Sequence, residues 1–301
     1  VKDGLDIAAL LGDAVGAMAP TVFAALGGLL TELTGMLNIA LEGLMLLGAF
    51  ASFAVTAASH SLLAGIAGGV LASSLAAALF GLVAIKGKAN EFIAGLATNL
   101  LASGLVVLLS AKLFGTKGVV SFSLPPLPRL EIPALASVPF VGAVLLGHDV
   151  LVYASVLSAA AVWLLVAKTP FGMRLRASGS GPGAMAALGL KPEGYRFAAV
   201  VASGVGCGLA GASLSLGLSA YVPNISSGRG WIALVAIYLG GRNSFGVLAA
   251  CFVFAAAESY SNYAQGFLHA SSEFILALPY LVALVALVAG TLWKRLRRKP
   301  A

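Results

Sequence analysis

The sequence predicts an all-α protein, a polytopic integral membrane helical bundle of about 8–10 transmembrane helices with broken or re-entrant segments. Three observations carry that prediction. The 301 residues are 60% hydrophobic and 10% charged, with a mean hydropathy of +1.01, whereas an ordinary globular chain is about 25% charged. Charge-free apolar segments recur along the whole chain. These segments are apolar on every face, as helices enclosed by protein or lipid are. Such a composition excludes a disordered chain and almost every cytosolic enzyme. A net charge of +7 has the sign for nucleic acid, but its placement between the apolar segments excludes that partner. Cys207 and Cys251 both lie in apolar runs, so neither a disulfide framework nor a metal-ligand spacing is expected.

A helix crossing about 30 Å of hydrocarbon needs roughly 20 residues. Segments 14–31, 61–85, 92–111, 150–167 and 274–293 meet that length, and 243–257 is also uncharged. The run 197–228 suffices for one crossing plus an exterior loop, expected to begin at Pro223 and Asn224. Two regions depart from the pattern. Residues 33–59 would make one span, but Glu42 sits within it and Gly35, Asn38 and Gly43 interrupt it. Residues 230–241 give only about 18 Å of helix and are bracketed by Arg229 and Arg242. Short or Gly-broken apolar segments in corresponding places of two halves point to a transport site near the midplane.

Orientation follows from the basic residues. Thirteen of the 18 Lys and Arg residues, including 168–196 and the tail Lys294–Lys299, fall on one side, and five on the other. The positive-inside bias predicts a cytoplasmic C-terminus, an exterior N-terminus and about nine crossings, two of them half-helices. His60, His148 and His269 then lie in exterior connections. The chain is one transmembrane domain, 1–301, with an exterior loop at 113–149 and a cytoplasmic loop at 168–196. The Leu124–Pro128 run of the exterior loop is expected to be extended rather than helical. Asp3, Asp6 and Asp13 have the wrong sign for a signal-peptide n-region, and the lack of a first Met suggests numbering from inside a longer product. The basic tail is expected to touch anionic membrane lipid.

Several motifs carry no chemistry. Gly206-Cys-Gly208-Leu-Ala-Gly211 fits a dinucleotide fingerprint, but it lies inside an apolar helix with no strand before it, so close helix packing explains it better. The stretch from Gly81 to Lys88 has the wrong spacing for a phosphate loop and Ala89 where a magnesium-holding hydroxyl belongs. No ATPase site, cofactor, metal or catalytic set is expected.

The polar residues at membrane depth are the candidates for a substrate pathway: Asn38, Glu42, Asn99, Arg229 and Trp231. A carboxylate at a helix centre costs about 2.5–3.5 kcal/mol, so Glu42 either lines a pathway or is hydrogen-bonded in packing. Asn38 and Asn99 either bond across helices or meet a neutral polyhydroxylated solute. Arg229, before a half-length helix, either snorkels or lines the path. Glu258, among Ser259, Tyr260, Ser261, Asn262 and Tyr263, reads as an interfacial residue. The cytoplasmic loop holds a Gly/Ser/Pro break at 178–183 and then a short apolar helix, Ala184–Leu190, with a Gly stop. An exposed apolar helix of that kind needs a protein partner, or else lies on the bilayer.

Taken in order, the stretches Gly35-Met-Leu-Asn-Ile-Ala-Leu-Glu-Gly-Leu-Met-Leu-Leu-Gly-Ala-Phe50, Asn90-Glu-Phe-Ile-Ala-Gly95, Phe171–Ala177, Ala184–Leu190, Gly204–Gly211 and Ser227–Ala236 resemble the permeases of bacterial ABC importers for simple sugars, nucleosides and, more distantly, branched-chain amino acids. The Asn-Ile-Ala-Leu-Glu-Gly form is similar to the nucleoside and simple-sugar branch, which riboflavin importers of some spirochaetes also resemble. The resemblance implies a multi-pass protein of the bacterial cytoplasmic (inner) membrane that translocates a purine nucleoside, riboflavin or a simple sugar. It implies three protein partners: a cytoplasmic ATP-binding-cassette ATPase, a second permease subunit, identical or paralogous, and an exterior substrate-binding protein. It makes 178–190 the coupling helix, with Pro182, Ala184, Ala186, Ala187, Leu188 and Gly189 at the ATPase contact. Ser180 and Gly181 stand where the family usually has an acid and an Asn, which implies a looser contact, an unusual ATPase or a second, different permease. The alternatives are an ion-coupled secondary transporter relaying through Glu42 and Glu258, and an intramembrane enzyme, for which no nucleophile and base are found.

Overall fold

The computed structural model describes residues 7–122, 124–130, 142, 144–265, 281, 285 and 288. The expected span 274–293, the basic tail, His269, Asp3 and Asp6 therefore lie, wholly or nearly so, outside the described residues. The described helices are α1 (Ile7–Leu33), α2 (Leu41–Ser59), α3 (Leu62–Gly81), α4 (Glu91–Phe114), α5 (Val150–Lys168), α6 (Pro170–Ser180), α7 (Pro182–Ala187), α8 (Pro192–Gly217), α9 (Arg229–Leu239) and α10 (Ser244–Ala264). A π-helical turn, Leu82–Lys86, extends α3. Seven of these are long and apolar enough to cross a membrane, and the eleven-residue α9 is not.

Sequence chemistry sets the ends. Asn90 begins α4 by accepting the N–H groups of Phe92 at 2.9 Å and Ile93 at 3.2 Å, and Asn243 does the same for Phe245 at 3.1 Å; such caps satisfy donors the helix leaves open. Pro170, Pro182 and Pro192 each open a helix at its first turn, where a missing N–H does no harm. Two departures from the sequence expectation follow from local geometry. The helix α8 stops at Gly217, before Pro223, because Ser219 turns left-handed (φ 51°) and the chain then enters a short strand. That strand, β2 (Ala220–Tyr221), pairs antiparallel with β1 (Val120–Ser121), tying the loop after α8 to the loop after α4. In the 168–196 loop α6 continues to Ser180, and the next helix starts at Pro182 instead of Ala184.

The helix α8 is the central post and packs along α1, α2 and α3. The motif Gly206–Gly211 explains how. A Cβ on Gly206 would meet the Phe23 carbonyl oxygen of α1 at 2.6 Å, and one on Gly208 the Val70 Cα of α3 at 2.5 Å. At Gly211 it would collide with the Ala49 backbone of α2. The three glycines face three different helices, so the fingerprint is a packing device that lets backbones approach.

The outer helices show the opposite pattern. On α3, α4 and α5 large apolar side chains stand free, among them Leu63 (81% exposed), Leu100 (74%) and Leu157 (70%). Burying such a side chain is worth about 1.5–3 kcal/mol, so these faces belong in hydrocarbon or against another protein. At one end of the bundle Phe50, Phe53, Phe114, Phe122 and Tyr221 pack ring on ring, with Phe50 and Tyr221 edge-on at 5.2 Å. The other end gathers the end of α1, the π turn, the start of α4, α6, α7 and the start of α8, and it carries Lys86, Lys88, Lys168, Arg174, Arg176, Lys191 and Arg196.

Candidate functional site

The two broken segments meet. After α1 the chain turns at Gly35 (φ +75°) and runs without helix to Asn38 before α2 begins. Asn38 Oδ1 accepts the Ala40 N–H at 3.1 Å, and its Nδ2 donates to Ser203 Oγ of α8 at 2.7 Å. Asn99 of α4 donates its Nδ2 to the Ile39 carbonyl at 2.9 Å and accepts the Gly43 N–H at 2.8 Å. The two amides thus bind four polar groups, three of them on the backbone, at a break inside the bundle, and all but the local Asn38–Ala40 bond join different helices or segments. Leaving such a group unpaired would cost about 1–3 kcal/mol.

Glu42, in the first turn of α2, reaches the second break. Its Oε1 accepts from Ser226 Oγ at 2.6 Å and from the Gly228 N–H at 2.9 Å, and its Oε2 accepts from the Gly230 N–H at 2.7 Å. Gly228 (φ +82°) and Gly230 stand at the start of α9, so this carboxylate caps the positive end of the half-helix. Hydrogen bonds to a charged group contribute about 1.5–3 kcal/mol each; three of them outweigh the cost of about 2.5–3.5 kcal/mol for a carboxylate at membrane depth. The approach demands glycine, because a Cβ on Gly230 would stand 2.5 Å from the Glu42 nitrogen.

Ion pairs hold both ends of α9. Arg229 pairs with Glu258 of α10, and Arg242, just past the far end, pairs with Glu32 of α1, which also accepts from the Tyr238 hydroxyl at 3.0 Å. Glu258 is therefore a partner of α9 and not merely an interfacial residue. The two carboxylates a proton relay would use, Glu42 and Glu258, are both engaged in these contacts. Trp231 and Tyr238, two turns apart on α9, are each 41% exposed. Of the five sequence candidates, Asn38 and Asn99 gather at the first break and Arg229 and Trp231 at the second, with Glu42 joining them. Ser203, Ser226, Glu32 and Tyr238 belong to the same arrangement and were not evident from the sequence. Glu32 alone left a trace there, as an acid ending an uncharged run.

The loop 168–196 forms a second element. Thr169 caps α6 through the Gly172 N–H at 3.1 Å. The base of α8 braces it, with Arg196 Nη2 donating to the Ser178 carbonyl at 3.1 Å and Arg174 Nη1 to the Tyr195 hydroxyl at 3.3 Å. Met185 anchors α7 at 3% exposure, while Leu188 projects at 79%. Pro182, Ala184, Ala186, Ala187 and Gly189 are exposed beside Leu188, and Gly189 (φ +74°) ends the helix in a left-handed turn.

A bundle of membrane-length helices with two interlocked breaks and a braced, exposed apolar helix at its basic end defines a polytopic membrane permease. The chain belongs to the family described as Branched-chain amino acid transport system / permease component, which matches residues 10–298. It is 32% identical over 287 residues to the guanosine ABC transporter permease protein NupQ of Bacillus subtilis, covering 89% of this chain and 88% of that protein. It is 29% identical to the nucleoside ABC transporter permease protein NupC of Lactococcus lactis (89% and 87% covered). To a putative glucose ABC transporter permease protein, TsgC13, of Haloferax volcanii, the identity is 30% (82% and 75% covered).

Proposed function

We propose that this chain is the transmembrane subunit of an ABC importer for a nucleoside-like solute, a purine nucleoside or riboflavin, or else for a simple sugar. The interlock of Glu42 with the N-terminus of α9 carries the reading, because it joins the two broken segments at one place between the bundle's ends. Similarity to guanosine and nucleoside permeases supports the substrate class. The protein sits in the bacterial cytoplasmic membrane with the basic end and the C-terminus inside, in keeping with the positive-inside rule. A substrate-binding protein delivers solute at the aromatic end. A separate ATPase grips α7 through Pro182, Ala184, Ala186, Ala187, Leu188 and Gly189, and hydrolyses ATP on the permease's behalf. A second permease subunit, identical or paralogous, completes the path.

In this account Asn38, Glu42, Asn99, Arg229 and Trp231 border the pathway. The amides, the carboxylate and Arg229 keep the breaks in shape, and Trp231 offers an exposed ring face to a heteroaromatic solute. Movement of α7 shifts the broken segments between two packings, a bistable element biased from both ends. The test is uptake of labelled guanosine into proteoliposomes containing the assembled transporter and internal ATP, with unlabelled competitors. Competition by nucleosides and none by leucine is expected; competition by leucine and none by nucleosides would overturn the substrate assignment.

A further inference from the structure

Beside α7 lies a cleft of about 750 Å³ whose other wall is the π turn after α3. Its apolar lining includes Ile85, Pro182, Ala186, Leu190 and Phe197. Its charged lining is Lys86, Lys191, Arg196 and Glu193, three cations against one anion. The π-turn wall is fixed: the Gly87 N–H donates to the Leu82 carbonyl at 2.9 Å, and the Ala89 N–H to the Val83 carbonyl at 3.2 Å. Gly87 is required there, since a Cβ would meet the Val83 oxygen at 2.6 Å. The opposite wall is held by buried Met185.

We propose that the ATPase docks on this cleft as well as on α7, inserting an acidic segment with an apolar residue between Lys86 and Lys191. The inference rests on the ABC-permease reading and extends it to a second contact. Two arguments carry it. A specific interface buries about 800 Å² on each partner, and a six-residue helix of Pro, Gly, Ala and Met, about 9 Å long, falls short of that alone. The excess positive charge in a partly apolar cleft selects carboxylates beside an apolar anchor, and opposite charge across an interface speeds encounter and fixes register.

The full-length permease, co-expressed with its ATPase subunit, is affinity-purified in detergent and the retained ATPase is measured. Lys86→Glu and Lys191→Glu should each lower retention roughly tenfold, with the deficit shrinking as salt is raised, and the neutral Lys86→Gln and Lys191→Gln should show a smaller loss. Lys168→Glu, the same charge change at the same end but outside the cleft, should retain the ATPase. Wild-type retention by the cleft variants, while Leu188→Asp loses the ATPase, would overturn the second contact and leave the α7 contact standing. Full retention by Leu188→Asp would instead remove the coupling assignment itself. A loss in the cleft variants that Lys168→Glu matches, or that appears only when anionic phospholipid is added to the micelles, would assign the cleft to lipid headgroups and overturn the proposal.

Discussion

Gly179 and Gly35 meet backbone to backbone. A Cβ on Gly179 would stand 2.6 Å from the Leu33 oxygen and 2.8 Å from the Gly35 nitrogen, and one on Gly35 only 3.3 Å from the Gly179 Cα. Gly179 lies in the last turn of α6, directly before α7. Gly35 is the left-handed turn that opens the first break. The exposed helix and the broken segment therefore share one joint, and close-packed joints pass displacements on instead of absorbing them.

Gly179→Ala inserts a methyl group into that joint without altering the exposed face of α7. Overpacking of this kind costs typically about 1–3 kcal/mol. Uptake in reconstituted vesicles should fall several-fold while the ATPase still co-purifies. Wild-type uptake would show that the joint carries no motion.

Glu42→Gln replaces two acceptor oxygens by one and adds a donor facing the N–H group of either Gly228 or Gly230. At least one backbone N–H loses its partner, at a cost of about 1–3 kcal/mol. The expected outcome is a lower thermal unfolding midpoint in detergent together with reduced uptake. Glu42→Asp, one methylene shorter, should also be impaired, because it cannot bridge to all three donors at once. An unchanged midpoint for both variants would contradict the capping role.

Arg229 and Glu258 should behave as a unit. Arg229 has a side-chain exposure of 19% and Glu258 of 31%, so each single Ala substitution strands a poorly solvated charge. A double-mutant cycle on thermal stability should return a coupling of about 1–3 kcal/mol, with Arg229→Ala/Glu258→Ala closer to wild type than the sum of the singles. Simple additivity would mean that the pair contributes nothing.

Orientation has its own check. A cysteine at Gly181, between α6 and α7, should resist a membrane-impermeant maleimide in intact cells and react in inverted vesicles. The native thiols of Cys207 and Cys251 are buried and leave the background low. Labelling from outside would reverse the assignment of the basic end to the cytoplasm.

Much of this architecture was legible in the sequence. Charge-free runs report membrane-length helices because hydrocarbon imposes both a length and a composition. The two breaks announced themselves through Glu42, Gly35 and Asn38, and through the shortness of 230–241 between two arginines. The contacts that join them were not legible. Glu42 lies 188 residues from Gly230, and a single sequence records no such pairing. Ser203 and Ser226 resemble any other small polar residue in an apolar run until the structure brings Asn38 and Glu42 against them. Glu258 looked interfacial because its neighbours are Ser, Asn and Tyr, whereas its partner, Arg229, comes from another helix. The sequence places the start of the short apolar helix at Ala184, two residues late, because Pro182 and Gly183 read as a break, although a proline at the first turn begins a helix well.

The central claim is that this chain provides the path and a separate ATPase provides the drive. Its most direct measurement is guanosine uptake into proteoliposomes holding the permease alone, the permease with its ATPase, and the same pair with ATP inside. Accumulation only in the third case, insensitive to a protonophore, is the predicted result. Accumulation by the permease alone, driven by an ion gradient, would contradict it.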